Sequence, residues 1–257
     1  MKITIVIPSY NQAGFIRETL DSILGQQTDH EVEVIVMDGG STDGTTDILK
    51  EYGERIRWVS EKDEGQSDAV NKGIEKASGE IIGWLNSDDL YEPGSLPEVL
   101  DVFARDPDCR WVYGKCRIID EEGKEIMKWI THYKNLSLKR YSAGKIFREN
   151  FISQPAVFFR KDLFEEAGPL DTTLNYAMDY DLWLRFAKRS KPCYIDRYLA
   201  RFRRHGSSKS ETGTREQFRE EYVVCLRYGP SRYSKFMHWF NMYKIVLGYR
   251  FINLFSK

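Results

Sequence analysis

The chain has 257 residues, 41% of them hydrophobic and 30% charged, with a formal net charge of -1. That length can bury one core, alone or with a trailing arm, and the composition is that of a globular chain rather than a disordered one. The near-zero charge argues against nucleic acid as the main partner, because neutralising phosphates requires a basic excess.

In chain order, Ile3–Ile7 opens as a short apolar run with no charged leader before it, so no signal peptide is expected. Val32–Met37, Ile56–Val59 and Ile81–Leu85 are likewise short, apolar and rich in β-branched residues, the pattern of buried strands. Between and after them lie helical stretches at Phe15–Leu24, Thr45–Tyr52, Gln66–Ala77 and Leu96–Ala104. Strand-helix alternation predicts a mostly parallel sheet with helices on both faces. Asp43 or Ser41 can cap the second helix.

The second half is less regular. Trp111–Asp120 and Lys124–Thr131 flank Glu121-Glu122-Gly123 and read as a hairpin. Gln154–Arg160 reads as a strand, Lys161–Ala167 as a helix stopped by Gly168-Pro169, Asp181–Arg189 as an amphipathic helix and Tyr198–Arg204 as a strand. Glu216–Arg227 and Tyr233–Phe255 read as helices. The four cysteines, Cys109, Cys116, Cys193 and Cys225, show no paired spacing and are expected to be reduced. No apolar run reaches the roughly 18 residues of a membrane span, and a cytoplasmic protein is expected.

Ligands of open α/β sheets bind beyond the carboxyl ends of the strands. Here those ends carry Pro8-Ser9-Tyr10-Asn11, then Asp38-Gly39-Gly40-Ser41-Thr42-Asp43-Gly44, then Glu61 through Asp68, then Asn86-Ser87-Asp88-Asp89. One such loop is ordinarily structural, and Asp88-Asp89 alone could cap the helix near Pro93. Four together at one edge point to a binding site. Their acidity would repel a bare pyrophosphate, and a hard divalent cation bridging carboxylate to phosphate resolves the conflict. Neither a Gly-x-Gly-x-x-Gly after the first strand nor a phosphate-loop lysine is present, which disfavours a dinucleotide-binding dehydrogenase or a P-loop NTPase.

Ile5 through Asn11, Asp38 through Gly44, Gly65 through Gly73, Asn86 through Asp89 and Asp179 through Arg185 resemble, in order and spacing, the motifs of glycosyltransferase family 2 over about the first 205 residues. The resemblance implies the GT-A fold, a Rossmann-like, mostly parallel α/β sheet. It also implies an inverting transferase that uses a nucleotide-diphosphate sugar, UDP favoured, with manganese or magnesium. Such an enzyme would act in polysaccharide biosynthesis, on a glycan or lipid-linked acceptor. By position, Asp38 resembles the residue that binds the nucleobase, and Pro8, Ser9, Tyr10 and Asn11 the loop lining base and ribose. Gly65, Asp68 and Ser87 fall in donor-binding motifs, Asp88 resembles the metal-binding Asp of Asp-x-Asp, and His205 resembles a late His near the diphosphate. Asp179 resembles the general base. Two positions depart from the pattern: Asn86 opens the Asp-x-Asp, and Met178 stands where a Glu often precedes the base.

Chemistry supports the same role for Asp179. Direct displacement at an anomeric carbon needs one carboxylate to take the acceptor's proton, whereas glycosidases need two flanking the bond. Asp179 could equally cap the helix that follows. Arg201, Arg203, Arg204 and His205 could meet a diphosphate or form a solvated basic strand, and Trp84 and Trp183 read as core rather than as sugar platforms. The expected organisation is a catalytic domain over 1–210, divided into a nucleotide-sugar half (1–114) and an acceptor half (115–210), followed by a helical arm over 211–257. The acceptor pocket is expected from Lys134–Gln154 and Asn175–Asp179. Residues 236–255 present a Trp/Phe-rich face beside basic residues, which fits a peripheral membrane contact on the inner face, packing on the catalytic domain, or a dimer contact. A nucleotidyltransferase, or a non-catalytic sugar-nucleotide-binding protein, is the competing reading. The first would want a basic loop where Pro8-Ser9-Tyr10-Asn11-Gln12 has neither Lys nor Arg.

Overall fold

The computed structural model describes residues 1–139, 141–206 and 213–255, with side chains at 213 and from 216 to 243 in the last stretch. Eight strands form one sheet: β1 (Lys2–Ser9), β2 (Glu31–Asp38), β3 (Arg57–Ser60), β4 (Ile81–Trp84), β5 (Leu90–Tyr91), β6 (Trp111–Ile119), β7 (Val157–Arg160) and β8 (Cys193–Arg203), in the order β3-β2-β1-β4-β7-β6-β8-β5. The first four strands are mutually parallel, with β2 and β4 flanking β1 and β3 outside β2. β7 joins β4 and β6 antiparallel, β6 and β8 run parallel, and β5 closes the far edge antiparallel to β8. This is the mixed α/β sheet of the GT-A fold, with its parallel half at the N-terminus.

Helices cover both faces. On one side lie α1 (Ile16–Leu24), α2 (Thr45–Glu51) and α4 (Ser95–Arg105), which bury Ile16, Leu20, Ile23, Leu49, Leu96, Leu100 and Phe103 against one face of the sheet, α4 over β8. On the other lie α3 (Gln66–Lys76), α7 (Lys161–Ala167) and α8 (Met178–Ala187), whose Val70, Ile74, Leu163, Leu182 and Phe186 form the second core. Trp183 belongs to that core, stacked on Trp111 with ring centroids 6.0 Å apart. After β6 come α5 (Lys128–Leu138) and the short α6 (Ala143–Ile146), and at the C-terminal end α9 (Thr214–Arg227) and α10 (Arg232–Phe255).

Two expectations are corrected. The hairpin over 111–131 is absent: Asp120–Gly123 does turn, but only Ile119 and Glu125 bridge before the chain enters α5. β7 covers only Trp111–Tyr113 of β6, so the returning chain does bond to the edge beyond, with Ile126 N–H donating to Ile118 O at 2.8 Å, before Met127 (φ 48°) turns it into α5, which packs back on β6. Cys109 and Cys193 are joined in a disulfide, with Cα atoms 6.2 Å apart. The parallel register that sets Val112 opposite Cys193 brings the two together from 84 residues apart. The division at 114/115 falls inside β6, where the β6–β8 register shifts, so the two halves share one sheet. The boundary expected at 210/211 lies outside the described residues. α9 packs on α8 and α10, so the arm rests on the catalytic body.

Candidate active site

The loops after β1, β3 and β4 open onto a cavity of about 1240 Å³, which α5, the 148–155 segment, the start of α8 and the last two helices complete. Its carboxylates are Asp63, Asp88, Glu149, Asp179 and Glu221.

The expected donor residues divide into two groups. Pro8, Ser9, Tyr10, Gly65 and Ser87 line the cavity. Asn11, Asp38 and Asp68 do not line it and build its walls instead. Asn11 holds a left-handed backbone (φ 52°) and latches two loops: its N–H donates to Ser41 Oγ at 2.7 Å, and its Oδ1 accepts from Thr42 N–H at 2.9 Å. Asp43 continues the latch by accepting from Ala13 N–H at 2.9 Å. Asp38 is 2% exposed, and four donors satisfy its carboxylate: the Gly40 and Ser41 N–H groups and the Ser41 and Ser60 hydroxyls, at 2.5–3.2 Å. In this arrangement it shapes the Gly-Gly turn. Asp68 pairs with Lys72 at 2.9 Å and accepts from Glu64 N–H.

The carboxylate that does reach this part of the cavity is Asp63, which sequence reasoning passed over. A Cβ on Gly39 would lie 2.8 Å from Asp63 Oδ2, so only glycine lets the two loops approach this closely. Asp63 Oδ1 accepts from the N–H of Gly65, whose φ of 107° also suits glycine. Gln66 and Trp84 both donate to Asn86 Oδ1, at 2.7 and 3.0 Å, which fixes the residue that stands in place of the first Asp of Asp-x-Asp.

Asp88 and Asp89 are neighbours with different roles. Asp89 is buried and accepts from Arg203 N–H at 2.8 Å; burial, then the adjacent Asp88, raise its carboxyl. Arg203, fully buried, donates to the backbone oxygens of Asp88, Asp120 and Glu121 and also pairs with Glu18. It therefore acts as an internal clamp, and Arg201 pairs with Glu92 at 2.7 Å. Arg204 and His205 are the members of the basic run that line the cavity. His205 Nε2 lies 2.9 Å from Asp88 Oδ2, with its ring against Phe15 at 4.6 Å. Neighbouring ligands of an octahedral ion with bonds of about 2.1 Å lie about 3 Å apart, so the two atoms are spaced to share one magnesium-sized cation. Among the described residues, the compact trio of Asp106, Cys109 and Cys193 lies outside the cavity, and its two sulfurs are tied up in the disulfide. The cavity itself thus offers two protein ligand atoms and leaves the other positions to phosphate or water. Ser207 and Ser208, which follow in the same motif, lie outside the described residues.

Asp179 sits in the first turn of α8 and lines the cavity, accepting from Tyr180 N–H at 2.7 Å. Burial pushes its carboxyl up to about 6, against hydrogen bonding and the Lys134 charge that lower it. By accepting from Tyr180 it satisfies one open N–H donor of the first turn. Glu220 of α9 holds the segment that leads into the helix, accepting the backbone N–H groups of Asn175, Tyr176 and Ala177 at 3.0, 2.6 and 2.7 Å. Beside it Glu221, 5% exposed, lines the cavity, and burial followed by the Asp179 charge pushes it up to about 7. Nothing local in sequence marks either glutamate: each reads as one polar position on an amphipathic helix. Of the stretches expected to form an acceptor pocket, Lys134–Gln154 and Asn175–Asp179, the residues Lys134, Asn150, Gln154, Asn175 and Tyr176, among others, line the cavity.

Residues 4–168 match the sequence profile of Glycosyl transferase family 2. An uncharacterised glycosyltransferase of Rickettsia typhi is 30% identical over 227 residues, covering 86% of this chain and 69% of that protein. Among solved structures, the mannosyltransferase PcManGT from Pyrobaculum calidifontis, in complex with GDP-Man and Mn2+, has a TM-score of 0.70 at 22% identity, covering 94% of this chain and 69% of that one. S. aureus TarS in complex with UDP-GlcNAc has a TM-score of 0.69 at 17% identity, covering 87% of this chain and 65% of that one. In another TarS structure this chain spans 41% of the solved chain. The chain belongs to glycosyltransferase family 2.

Proposed function

We propose that this family 2 glycosyltransferase moves a sugar, with inversion, from a nucleotide-diphosphate sugar, UDP favoured, to a hydroxyl of a glycan or lipid-linked acceptor. The observation that carries this reading is that one cavity holds the Asp88–His205 pair and the raised carboxyl of Asp179.

In this reading the loops of Pro8–Tyr10, Asp63–Gly65 and Ser87 receive the donor. Asp88 and His205 hold manganese or magnesium, which when bound supplies charge stabilisation to the leaving diphosphate. Asp179 accepts the proton of the attacking hydroxyl. Its raised carboxyl suits this task, since a base near the working pH is both deprotonated enough and strong enough. Arg204 adds positive charge at the same wall. The fact that solved relatives of the same fold carry UDP-GlcNAc and GDP-Man favours a nucleotide sugar over a nucleoside triphosphate.

The test is a thermal-shift panel of UDP-, GDP- and dTDP-sugars with and without manganese, since a ligand of the native state raises its melting temperature by mass action. A metal-dependent rise with one nucleotide sugar is expected. A panel with no response overturns the reading.

For the C-terminal face, we propose peripheral contact with an anionic bilayer. Tyr233, Phe236, Trp239, Phe240 and Tyr243 are exposed on α10, while Ser234 and His238 are buried against the body. Among the described residues no helix is long and apolar enough to cross a membrane. The side chains from 244 to 255, including Val246, Leu247, Phe251, Leu254 and Phe255, lie outside those described. Co-sedimentation with anionic vesicles, lost in Phe236→Ser/Trp239→Ser/Phe240→Ser, is the expected result; equal recovery of both proteins removes the proposal.

A further inference from the structure

Glu221 is a buried carboxylate with half its hydrogen-bonding capacity unused. Asn150 Nδ2 and Gln217 Nε2 both donate to Oε1, each at 3.2 Å, and Oε2 has no partner among the described residues. A buried charged group left short of donors is costly, and a ligand that brings hydroxyl donors removes that cost. Asn150 and Thr131 line the same cavity and add an amide and a hydroxyl to its polar lining. Trp129, 57% exposed, and Tyr133 stand at the cavity on α5 and offer flat apolar faces. Carboxylate, amide and hydroxyl groups beside exposed rings suit a ring that carries hydroxyls on its rim and C–H groups on its face. An anionic group would meet both Glu221 and Asp179.

We propose that Glu221, oriented by Asn150 and Gln217, receives hydroxyls of a neutral sugar acceptor, stacked on Trp129, and holds it with its attacking hydroxyl toward Asp179. The proposal rests on the glycosyltransferase reading above and names the acceptor class. It also assigns α9 a direct part in the site. Carboxylate-to-hydroxyl bonds are of the charge-assisted kind, stronger than neutral ones, so they can select one arrangement of hydroxyls over another.

The test uses the full chain with manganese and UDP, and methyl glycosides of glucose, galactose, mannose and N-acetylglucosamine as probes, with a methyl glucuronide as the anionic control. Ligand-observed NMR reads binding of the probes, and calorimetry reads UDP. At least one neutral glycoside is expected to bind with a Kd of about 1–10 mM, and the glucuronide is not. Glu221→Gln should weaken that glycoside about tenfold with UDP affinity unchanged. Trp129→Ala, at an exposed position where folding is not at stake, should weaken it about as much. Equal glycoside binding by the wild type and by a folded Glu221→Gln overturns the subsite. So does the lack of any neutral glycoside binding up to about 50 mM in a protein that binds UDP. Glycoside binding that depends on Glu221 in a protein that binds no nucleotide would support the subsite while removing the donor assignment.

Discussion

His205 Nε2 and Asp88 Oδ2 lie 2.9 Å apart, although 117 residues separate them in the chain. The loop after β4 and the end of β8 meet here because Arg203 and Asp89, two residues earlier and one later respectively, tie the same two segments together. A cation held between them would take a lone pair from each partner. Asp88→Asn and His205→Ala are therefore each expected to weaken manganese-dependent binding of nucleoside diphosphate by about tenfold or more, leaving metal-free binding as it was. Calorimetry with and without manganese measures this. Variants that keep the full manganese dependence would remove the metal assignment.

Asp38 and Asp63 should separate on mutation. Asp38 accepts four hydrogen bonds within its own wall, so Asp38→Ala strands buried donors and should cost about 1–3 kcal/mol of stability. Asp63 faces the cavity, so Asp63→Ala should cost nucleotide affinity of about the same size while the melting temperature holds. Thermal denaturation and nucleotide titration of both variants decide. If Asp38→Ala melted like the wild type and lost only nucleotide binding, the direct base contact implied by family resemblance would be restored.

Asp179→Asn keeps shape and removes the proton acceptor. Transfer should fall by about 10²–10⁴-fold with donor affinity near normal. In the wild type the rate should climb with pH through about 6 as Asp179 loses its proton, with Lys134 easing that loss and Glu220 opposing it. A near-full rate in the Asn variant with a true acceptor would leave the reaction without its base.

The same two carboxyls carry a signed stability effect. Asp179 is raised from 3.8 to about 6 and Glu221 from 4.5 to about 7, so the folded state holds their protons more tightly than the unfolded chain does. Their contribution is full below about pH 4 and is lost as pH rises toward about 7. Lowered carboxyls act oppositely: Glu33, held at about 2, has given its full contribution by about pH 5. Urea unfolding between pH 5 and 7 should therefore show falling stability, and Glu221→Gln should flatten the fall. A slope that Glu221→Gln leaves unchanged would disprove the assignment.

Glu220→Ala removes the acceptor of three backbone N–H groups at the start of α8. Faster amide hydrogen exchange at Asn175–Ala177 is expected, with a stability loss of about 1.5–3 kcal/mol. Donor affinity should hold while transfer falls, because Asp179 rides on the loosened turn. Glu220→Gln, which keeps an acceptor oxygen, should recover part of both losses. Unchanged exchange in Glu220→Ala would show that the helix start is held by other means.

The N-terminal half was legible because its signals are local. Apolar β-branched runs, helix periods and polar strand ends lie within a few residues of one another, and they placed Ser9, Gly65 and Asp88 at one edge. What failed depended on distant partners. Lys124–Thr131 reads as a strand from its own residues, yet after Ile126 it leaves the edge of β6 and coils into α5, which packs back on that strand. Asp38 reads as a ligand-binding acid, and its bond from Ser60, 22 residues on, is one no local pattern announces. Glu220 and Glu221 were invisible because their targets, residues 175–179, lie more than forty positions earlier.

Adjacent positions on a helix point about 100° apart. Glu220 and Glu221 use that angle to face two ways, one gripping the backbone under α8 and the other lining the cavity. Anchorage and selection are therefore encoded at separate positions of the same short segment. A grafted α9 would need to keep the acid at 220 to dock, whereas position 221 and its neighbours on that side are free to vary. The helix can then serve as an exchangeable cartridge for acceptor choice, mounted on a donor platform that stays the same.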